Sequence, residues 1–208
     1  MTQSRRGLGR RSGDSGFDGG SAAGSRLRAF VALEVDDAIR TRLAAAIESL
    51  RPVFPGLRWV SPAQVHLTLR FLGHAHPPAL EALHGSLAEA AAACPPASLP
   101  VSGLGVFPAG ARARVLWVGI GLSEAIVDLQ ASCEAAASGA GFEPERRPFS
   151  PHLTLGRWRE PARRPELPAL DLGQARVERL VLFRSQMHPE GAVYTPLASF
   201  PLGPHSVG

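Results

Sequence analysis

A four-residue motif, HLTL, occurs twice in this sequence of 208 residues, at 66–69 and again at 152–155. The motif draws on scarce residues, because only 7 histidines are present in the chain. Arg28 lies in a strand-like segment 38 residues before the first motif, and Arg114 lies in a similar segment 38 residues before the second. Each interval has the pattern of a strand, a helix, a Pro-containing loop and then HLTL. The spacing indicates a tandem duplication of one α+β unit.

The rest of the chain supports this interpretation. Each motif is followed by a Pro-rich stretch that contains PAL, and then by a strand-like segment with LGVF or LVLF. Apolar periodicity predicts helices over 36–50, 77–94 and 123–139. The predicted strands are 28–35, 57–62, 65–73, 99–110, 113–120, 150–158, 177–183 and 192–200. Because duplicated units commonly pack about a pseudo-two-fold axis, we expect an α+β, bilobal fold of two pseudo-symmetric antiparallel sheets with outer helices and a central cleft.

The two lobes are expected to form a single domain over residues 26–203. Residues 1–25 are rich in Arg, Gly and Ser and have no apolar stretch of a secretory leader, so we predict a disordered N-terminal tail, with a short C-terminal tail over 204–208. No apolar run approaches the roughly 20 residues of a membrane span. Two cysteines are too few for a disulfide framework, and we expect a cytoplasmic monomer without membrane contact.

Charge alone does not identify a partner. The chain has 22 basic and 18 acidic residues, and every basic residue is an arginine. The predicted tail contains four Arg and two Asp, so the remainder is nearly balanced, with 18 Arg against 16 acids. Such a balance permits an RNA partner without predicting one.

The two motifs are predicted to present the same polar groups from two strands. Side chains alternate across a strand, so His66 and Thr68 would share one face, and His152 and Thr154 would share the matching face of the other lobe. The leucines between them would anchor each strand to its helices. Two imidazoles and two hydroxyls would then line one central groove.

The two motifs have two alternative explanations. Duplication alone could preserve both pairs without any function. A zinc site is the other alternative, but two histidines supply only two ligands and no Asp, Glu or Cys lies beside either motif. His74 and His76 could add ligands, although their Pro-flanked loop is more typical of a solvated surface. We therefore expect neither a metal nor another cofactor.

Paired imidazoles and hydroxyls suit displacement at phosphorus. Near pH 7 one imidazole can be neutral and the other charged, which gives a general base and a general acid without a cofactor. One ring would deprotonate the nucleophile and the other would protonate the leaving oxygen. Hydroxyl groups can donate hydrogen bonds to the non-bridging oxygens.

These motifs, with their flanking segments, resemble a known family. RAFVAL, HLTLRFLG, RVLWVGI, PFSPHLTLGR and YTPL together are similar to the bacterial RNA 2′,3′-cyclic phosphodiesterases, also called 2′-5′ RNA ligases, of the two-histidine phosphoesterase superfamily. The resemblance covers about residues 26–203. It implies metal-independent hydrolysis of a terminal 2′,3′-cyclic phosphate on RNA or a nucleotide to a 2′-phosphomonoester.

The resemblance also implies a role for each matching residue. His66 would be the proton donor, His152 the proton acceptor that activates water, and Thr68 and Thr154 would bind the phosphate. Arg157 matches a basic residue that contacts the phosphate of the nucleotide. Regular strand alternation would place Arg157 away from His152, so this assignment predicts a bend at Gly156.

Two further functions stay open from the sequence. One is 2′-5′ ligation in the same cleft, in which an RNA 5′-hydroxyl replaces water as the nucleophile. The other is a non-catalytic RNA- or nucleotide-binding module that uses the cleft to hold phosphate. Phe30, Phe149 and Tyr194 could stack on a base, although each lies in a context more typical of core packing.

Overall fold

A computed structural model describes residues 25–188 and 191–203 of the chain. Apart from Ser25, the two predicted tails lie outside the described residues. The strands are Leu27–Glu34 (β1), Leu57–Trp59 (β2), His66–Ala75 (β3), Ala97–Phe107 (β4), Arg112–Ile120 (β5), His152–Arg163 (β6), Asp171–Val177 (β7), Arg179–His188 (β8) and Gly191–Pro201 (β9). The helices are Asp37–Leu50 (α1), Pro77–Glu81 (α2), His84–Ala93 (α3) and Glu124–Gly139 (α4), with a 3-10 turn at Pro62–Gln64.

Helices α1 and α4 occur where the periodicity predicts them. Asp36 caps α1, because its Oδ1 atom accepts a hydrogen bond of 2.9 Å from the backbone N–H of Ile39. Helix α4 begins directly after Ser123 and ends at Gly139. The boundaries of both helices thus follow the apolar spacing, and at α1 a capping side chain fixes the first turn.

The prediction of one helix over 77–94 is wrong, because the chain turns between α2 and α3. Gly85 lies in the first turn of α3, and glycine is a poor helix former. Leu80, Leu83 and Leu87 are nevertheless all buried against the core. Strand β7 was not predicted either. Its buried residues do not alternate regularly, since Gly173 takes a positive φ of 73° within the strand.

The strands form one curled antiparallel sheet in the order β7-β4-β5-β6-β3-β1-β8-β9, with β2 added on β6. The expected bilobal α+β fold is confirmed, and the two expected sheets correspond to two halves of this sheet. We call β3, β1, β8 and β9 the first half and β6, β5, β4, β7 and β2 the second half. Within residues 25–188 and 191–203, the two halves meet at one residue pair of the ladder, Leu67 with Leu153.

The strand that follows each motif crosses to the opposite half. Strand β4 follows the first motif along the chain but pairs with β5 in the second half, whereas β8 follows the second motif but pairs with β1 in the first half. Each half of the sheet therefore contains strands from both copies of the duplicated sequence unit.

The two faces of the sheet differ in what covers them. One face packs against the helices and forms the main hydrophobic core, to which Val31 and Leu33 of β1 belong. Phe30 and Ala32, which alternate with them, belong to a second cluster with Val181 and Phe183 of β8. This smaller cluster thus lies on the other face of the first half, and Tyr194 packs against it.

Candidate active site

Both HLTL motifs have the alternation that the sequence predicts. Leu67 and Leu153 are fully buried in the main core, whereas His66, Thr68, His152 and Thr154 are partly exposed on the other face. In an antiparallel pair, the positions that flank Leu67 and Leu153 bring the histidine of one motif beside the threonine of the other. The four polar side chains therefore lie around the seam between the two halves.

Aromatic side chains surround His66. Its ring stacks on Phe30 with 4.7 Å between centroids, and Tyr194 meets it edge-on at 5.1 Å. The ring of Phe183 lies 5.9 Å away. The register places Glu34 of β1 opposite His66. His66 therefore rests on the second hydrophobic cluster, with only part of its ring open to solvent.

The two imidazoles are held by the same kind of hydrogen bond. His66 Nδ1 lies 2.8 Å from the carbonyl oxygen of Gln64, and His152 Nδ1 lies 2.7 Å from that of Ser150. A carbonyl oxygen can only accept, so Nδ1 carries the proton in each ring. The lone pair of each neutral ring is therefore on Nε2, which is the atom available for proton transfer.

Aromatic residues also frame His152. Phe107 meets its ring edge-on at 5.0 Å between centroids, and Trp117 lies 6.1 Å away. Phe107 and Phe183 end the LGVF and LVLF segments that follow the two motifs. Because these strands cross between halves, each phenylalanine contacts the histidine of the other motif. The matching positions of these two tetrapeptides mark both phenylalanines in the sequence, although neither was predicted to contact a histidine.

Burial keeps both rings neutral at pH 7. Desolvation lowers the pKa of His66 to about 4, against the opposing effect of its hydrogen bond to Gln64, and the charges of His152 and Arg157 lower it further. Burial and then Arg157 also lower the pKa of His152, again opposed by the bond to the Ser150 carbonyl. The charge of Arg157 therefore acts on both rings.

Arg157 reaches this face through a β-bulge. Trp117 pairs with Thr154 and Leu116 pairs with Gly156, so Leu155 is left without a partner on β5. The extra residue shifts the alternation and turns Arg157 toward the side of Thr154. This irregularity is the bend at Gly156 that the assignment of Arg157 requires.

Glycine at 156 is explained by close packing. A Cβ atom there would lie 2.7 Å from Leu57 Cγ and 3.0 Å from the carbonyl oxygen of Arg58. Both contacts come from β2, which pairs with β6 at this point. Any side chain would therefore push β2 away from the bulge that orients Arg157.

Comparison with known proteins places the chain in a family. The sequence model of the 2′-5′ RNA ligase superfamily matches residues 36–188. The chain belongs to the 2′-5′ RNA ligase superfamily. The relative named RNA 2′,3′-cyclic phosphodiesterase from Methanothermobacter thermautotrophicus is 31% identical over 184 residues, which cover 85% of this chain and 100% of the relative. The protein of the same name from Thermus thermophilus is 35% identical over 185 residues, or 85% of this chain and 90% of that one.

Solved structures agree with this placement in the 2′-5′ RNA ligase superfamily. The crystal structure of TT0787 of Thermus thermophilus superposes with a TM-score of 0.77 at 32% identity, covering 86% of this chain and 100% of that one. The crystal structure of E. coli LigT complexed with 3′-AMP has a TM-score of 0.71 at 26% identity, covering 85% and 98% of the two chains. The resemblance drawn from the sequence is thereby confirmed.

The two halves of this superfamily member are not chemically equivalent. Strand β3 has a matching bulge, since Ala32 pairs with Thr68 and Val31 with Arg70, which leaves Leu69 unpaired. The position five residues after the histidine is therefore equivalent in both strands. It holds Arg157 after His152 but Phe71, 44% exposed, after His66. One side of the site is cationic and the other is aromatic.

A buried ion pair under β3 ties the first half to the segment before His152. Arg70 Nε lies 2.6 Å from Glu134 Oε2 of α4, and Arg70 is 5% exposed. Arg70 Nη2 also donates a hydrogen bond to the carbonyl oxygen of Glu143. Glu134 Oε1 in turn accepts one of 3.1 Å from the backbone N–H of Glu145.

The sequence gives a reason for this ion pair. Glu143 lies nine residues before His152, as Leu57 of β2 lies nine residues before His66. Strand β2 pairs with β6 through its backbone, but Pro144 has no N–H group with which to pair in the same way. Arg70 supplies side-chain donors where that backbone pairing is missing. Arg70 was not among the residues predicted from the sequence.

Metal binding, membrane insertion and base stacking were the other roles that the sequence left open. Among residues 25–188 and 191–203, no group of three or more His, Cys, Asp or Glu side chains is placed to hold a metal ion. Within the same part of the chain, no helix combines the length and apolar character needed to cross a bilayer. Phe149 packs against the main core, and Phe30 is 3% exposed in the second cluster.

Proposed function

We propose that this protein is an RNA 2′,3′-cyclic phosphodiesterase that hydrolyses the cyclic end to a 2′-phosphomonoester without a metal ion. The observation that carries the proposal is the pair of imidazoles on one face, each with Nδ1 bonded to a backbone carbonyl and Nε2 available. Family membership and the names of the relatives support the same reaction class.

The reaction divides between the two rings. His152 Nε2 accepts a proton from water as the water oxygen forms a bond to phosphorus. The bond between phosphorus and the 3′ oxygen breaks, and His66 Nε2–H donates its proton to that oxygen. The product has a free 3′-hydroxyl and a phosphate on the 2′ oxygen. One proton is taken up at His152 and one is released at His66, so the enzyme ends in the reverse protonation state.

Three further groups would act on the phosphate. Thr68 and Thr154 would donate hydrogen bonds to its two non-bridging oxygens, and Arg157 would offset their negative charge. Because His66 is neutral in the unliganded protein, it must gain a proton to act as an acid. A bound phosphate anion stabilises the charged imidazolium, so substrate binding itself would raise the pKa of His66.

The test uses an RNA oligonucleotide that ends in a 2′,3′-cyclic phosphate, with EDTA present. His66→Ala and His152→Ala should each lower the rate by about 10²–10⁴-fold. The exposed His74, near the other end of β3, provides a matched control, and His74→Ala should retain wild-type activity. Full activity of either motif variant would overturn the mechanism, and loss of wild-type activity in EDTA would favour the zinc alternative.

A further inference from the structure

The ladder of β5 and β6 resumes beyond the site, after a register shift between Ala113 and Val115, and carries arginines on the same face. Arg112 pairs with Arg163, and the neighbouring pair is Ala113 with Ala162. Ala113 is fully buried and Ala162 packs against the main core. Because side chains alternate, Arg112 and Arg163 lie on the opposite face, which is also the face of Arg157.

Strand β2 adds another arginine at this surface. Arg58 pairs directly with Arg157 in the ladder of β2 and β6. Leu57 is buried and Trp59 packs against the main core. Because side chains alternate along a strand, Arg58 lies on the opposite face of the sheet. Two cross-strand pairs of arginine therefore lie on one surface. We call Arg58, Arg157, Arg112 and Arg163 the arginine track.

The pairing of Arg112 with Arg163 is unfavourable in an isolated protein. Like charges directly opposite each other destabilise a strand pair, where opposite charges would stabilise it. No ion pair among the described residues includes Arg112, Arg157 or Arg163. Arg112 Nη2 donates a hydrogen bond of 2.6 Å to the carbonyl oxygen of Pro161, which orients the guanidinium without neutralising it. An anionic ligand along this face would relieve the repulsion.

The chemistry of that ligand follows from where the arginine track begins. Arg157 influences both histidines, and Arg112 lies three residues along β5 from Val115, the partner of Arg157. At about 3.3 Å per residue the second arginine pair is about 10 Å farther from the reacting phosphate. Guanidinium groups bind phosphate through two parallel hydrogen bonds.

We propose that the arginine track binds the phosphodiester backbone of the RNA strand whose terminal cyclic phosphate occupies the site. The inference rests on the proposed function, because it takes the RNA end to be the substrate. The position in the first half that is equivalent to Arg157 holds Phe71. The cationic surface therefore extends from the site along the second half. The enzyme then prefers a cyclic phosphate at the end of a strand over the same group on a single nucleotide.

The experiment compares two substrates in the same variants. The first is a nucleoside 2′,3′-cyclic phosphate, and the second is an oligoribonucleotide that ends in that nucleotide. Arg163→Gln and Arg112→Gln should each lower kcat/KM for the oligonucleotide by roughly 3- to 10-fold and leave the single nucleotide unchanged. In a plot of log kcat/KM against log salt concentration, each should reduce the slope by about 0.7.

Two controls sharpen the result. Arg163→Lys keeps the charge and should retain most of the preference for the oligonucleotide. Arg51→Gln removes the same charge from the end of α1, where the ion pair with Glu48 is exposed, and should change neither substrate. Equal losses with both substrates, or no loss with the oligonucleotide, would overturn the arginine track.

Failure of the proposed function gives a different result. If the wild-type protein hydrolyses neither substrate, fluorescence anisotropy with the labelled oligonucleotide tests the arginine track alone. If Arg163→Gln then binds the oligonucleotide more weakly and with less salt dependence than Arg51→Gln, the result supports RNA binding by the arginine track even though the proposed reaction does not occur. Binding that is unchanged in Arg163→Gln would reject the track as well.

Discussion

Among the described residues, Leu67 and Leu153 form the one pair in the ladder that joins β3 to β6 and so joins the two halves of the sheet. Each lies between the histidine and the threonine of its motif, and each is fully buried. The packing of these two leucines therefore fixes the distance between catalytic candidates that are far apart in the chain. In both motifs the buried leucine thus determines where the neighbouring histidine and threonine lie.

Truncation of the Leu67 side chain should lower kcat more than an equally destabilising substitution far from the site. Leu67→Ala removes a buried side chain and should cost about 2–5 kcal/mol of the free energy of unfolding. Because the cavity lies directly under the seam, kcat of the folded protein should also fall. Leu99→Ala, in a buried position of β4 that pairs with β7, is the matched control. Urea unfolding and kcat measured on both variants make the comparison, and equal effects on kcat would contradict the prediction.

The repeat predicted much of this arrangement, because a duplicated unit with the same internal spacing carries information that single motifs lack. It indicated which residues face the groove and that the two lobes are alike. It did not specify the exchange of β4 and β8 between the halves, since strand partners depend on contacts that are distant in sequence. A phenylalanine such as Phe183 therefore appeared unrelated to His66.

The bulges and the buried ion pair could not be predicted from local sequence patterns, for a related reason. Position 157 follows Gly156, and only the resemblance suggested a bend there. The structure shows that β2 packs against that glycine, a contact between residues about 100 positions apart. Arg70 lies in a strand-forming segment, where an arginine is ordinarily solvated. Its burial depends on Glu134 of α4, whose position no local pattern reveals.

The dependence of kcat/KM on pH should be bell-shaped with its maximum on the acid side of pH 6.5. The reaction needs one protonated and one neutral ring, and this state is most populated between the two macroscopic pKa values of the free enzyme. Burial lowers the pKa of His66 to about 4 and also lowers the pKa of His152 below 6.5. Bound phosphate raises both, so the maximum of kcat should lie at higher pH than that of kcat/KM.

One substitution tests the assignment of the acid limb. Tyr194→Ala removes an aromatic neighbour of His66 and admits water, so it should raise the pKa of that ring and move the acid limb to higher pH. Initial rates measured from about pH 4 to pH 9 at low and at saturating substrate give both profiles. A maximum of kcat/KM on the alkaline side of neutrality, or an acid limb that does not move, would contradict the interpretation.

Burial of His66 should also make stability depend on pH. Between the folded pKa of about 4 and the ordinary value of 6.5, the unfolded chain binds a proton that the folded protein does not. Stability is therefore fully present above pH 6.5 and is lost as the pH falls toward 4, by about 3 kcal/mol from this residue. His66→Phe keeps an aromatic ring on Phe30 and should abolish that loss, whereas His74→Ala should retain it. Urea unfolding near neutral pH and near pH 4 measures both, and an unchanged loss in His66→Phe would reject the cause.

The ion pair between Arg70 and Glu134 should add little to the free energy of unfolding. Removal of one partner alone should nevertheless destabilise the protein strongly. Arg70→Met leaves the Glu134 carboxylate and the carbonyl of Glu143 without a donor, and should cost about 3 kcal/mol of the free energy of unfolding. The value is at the low end of the range for buried pairs because the Glu134 side chain is 27% exposed. Arg70→Met combined with Glu134→Met removes the unpaired charge and should recover most of the loss. Urea denaturation of the two single variants and the double variant gives the coupling energy, and strictly additive losses would show that the pair does not couple β3 to α4.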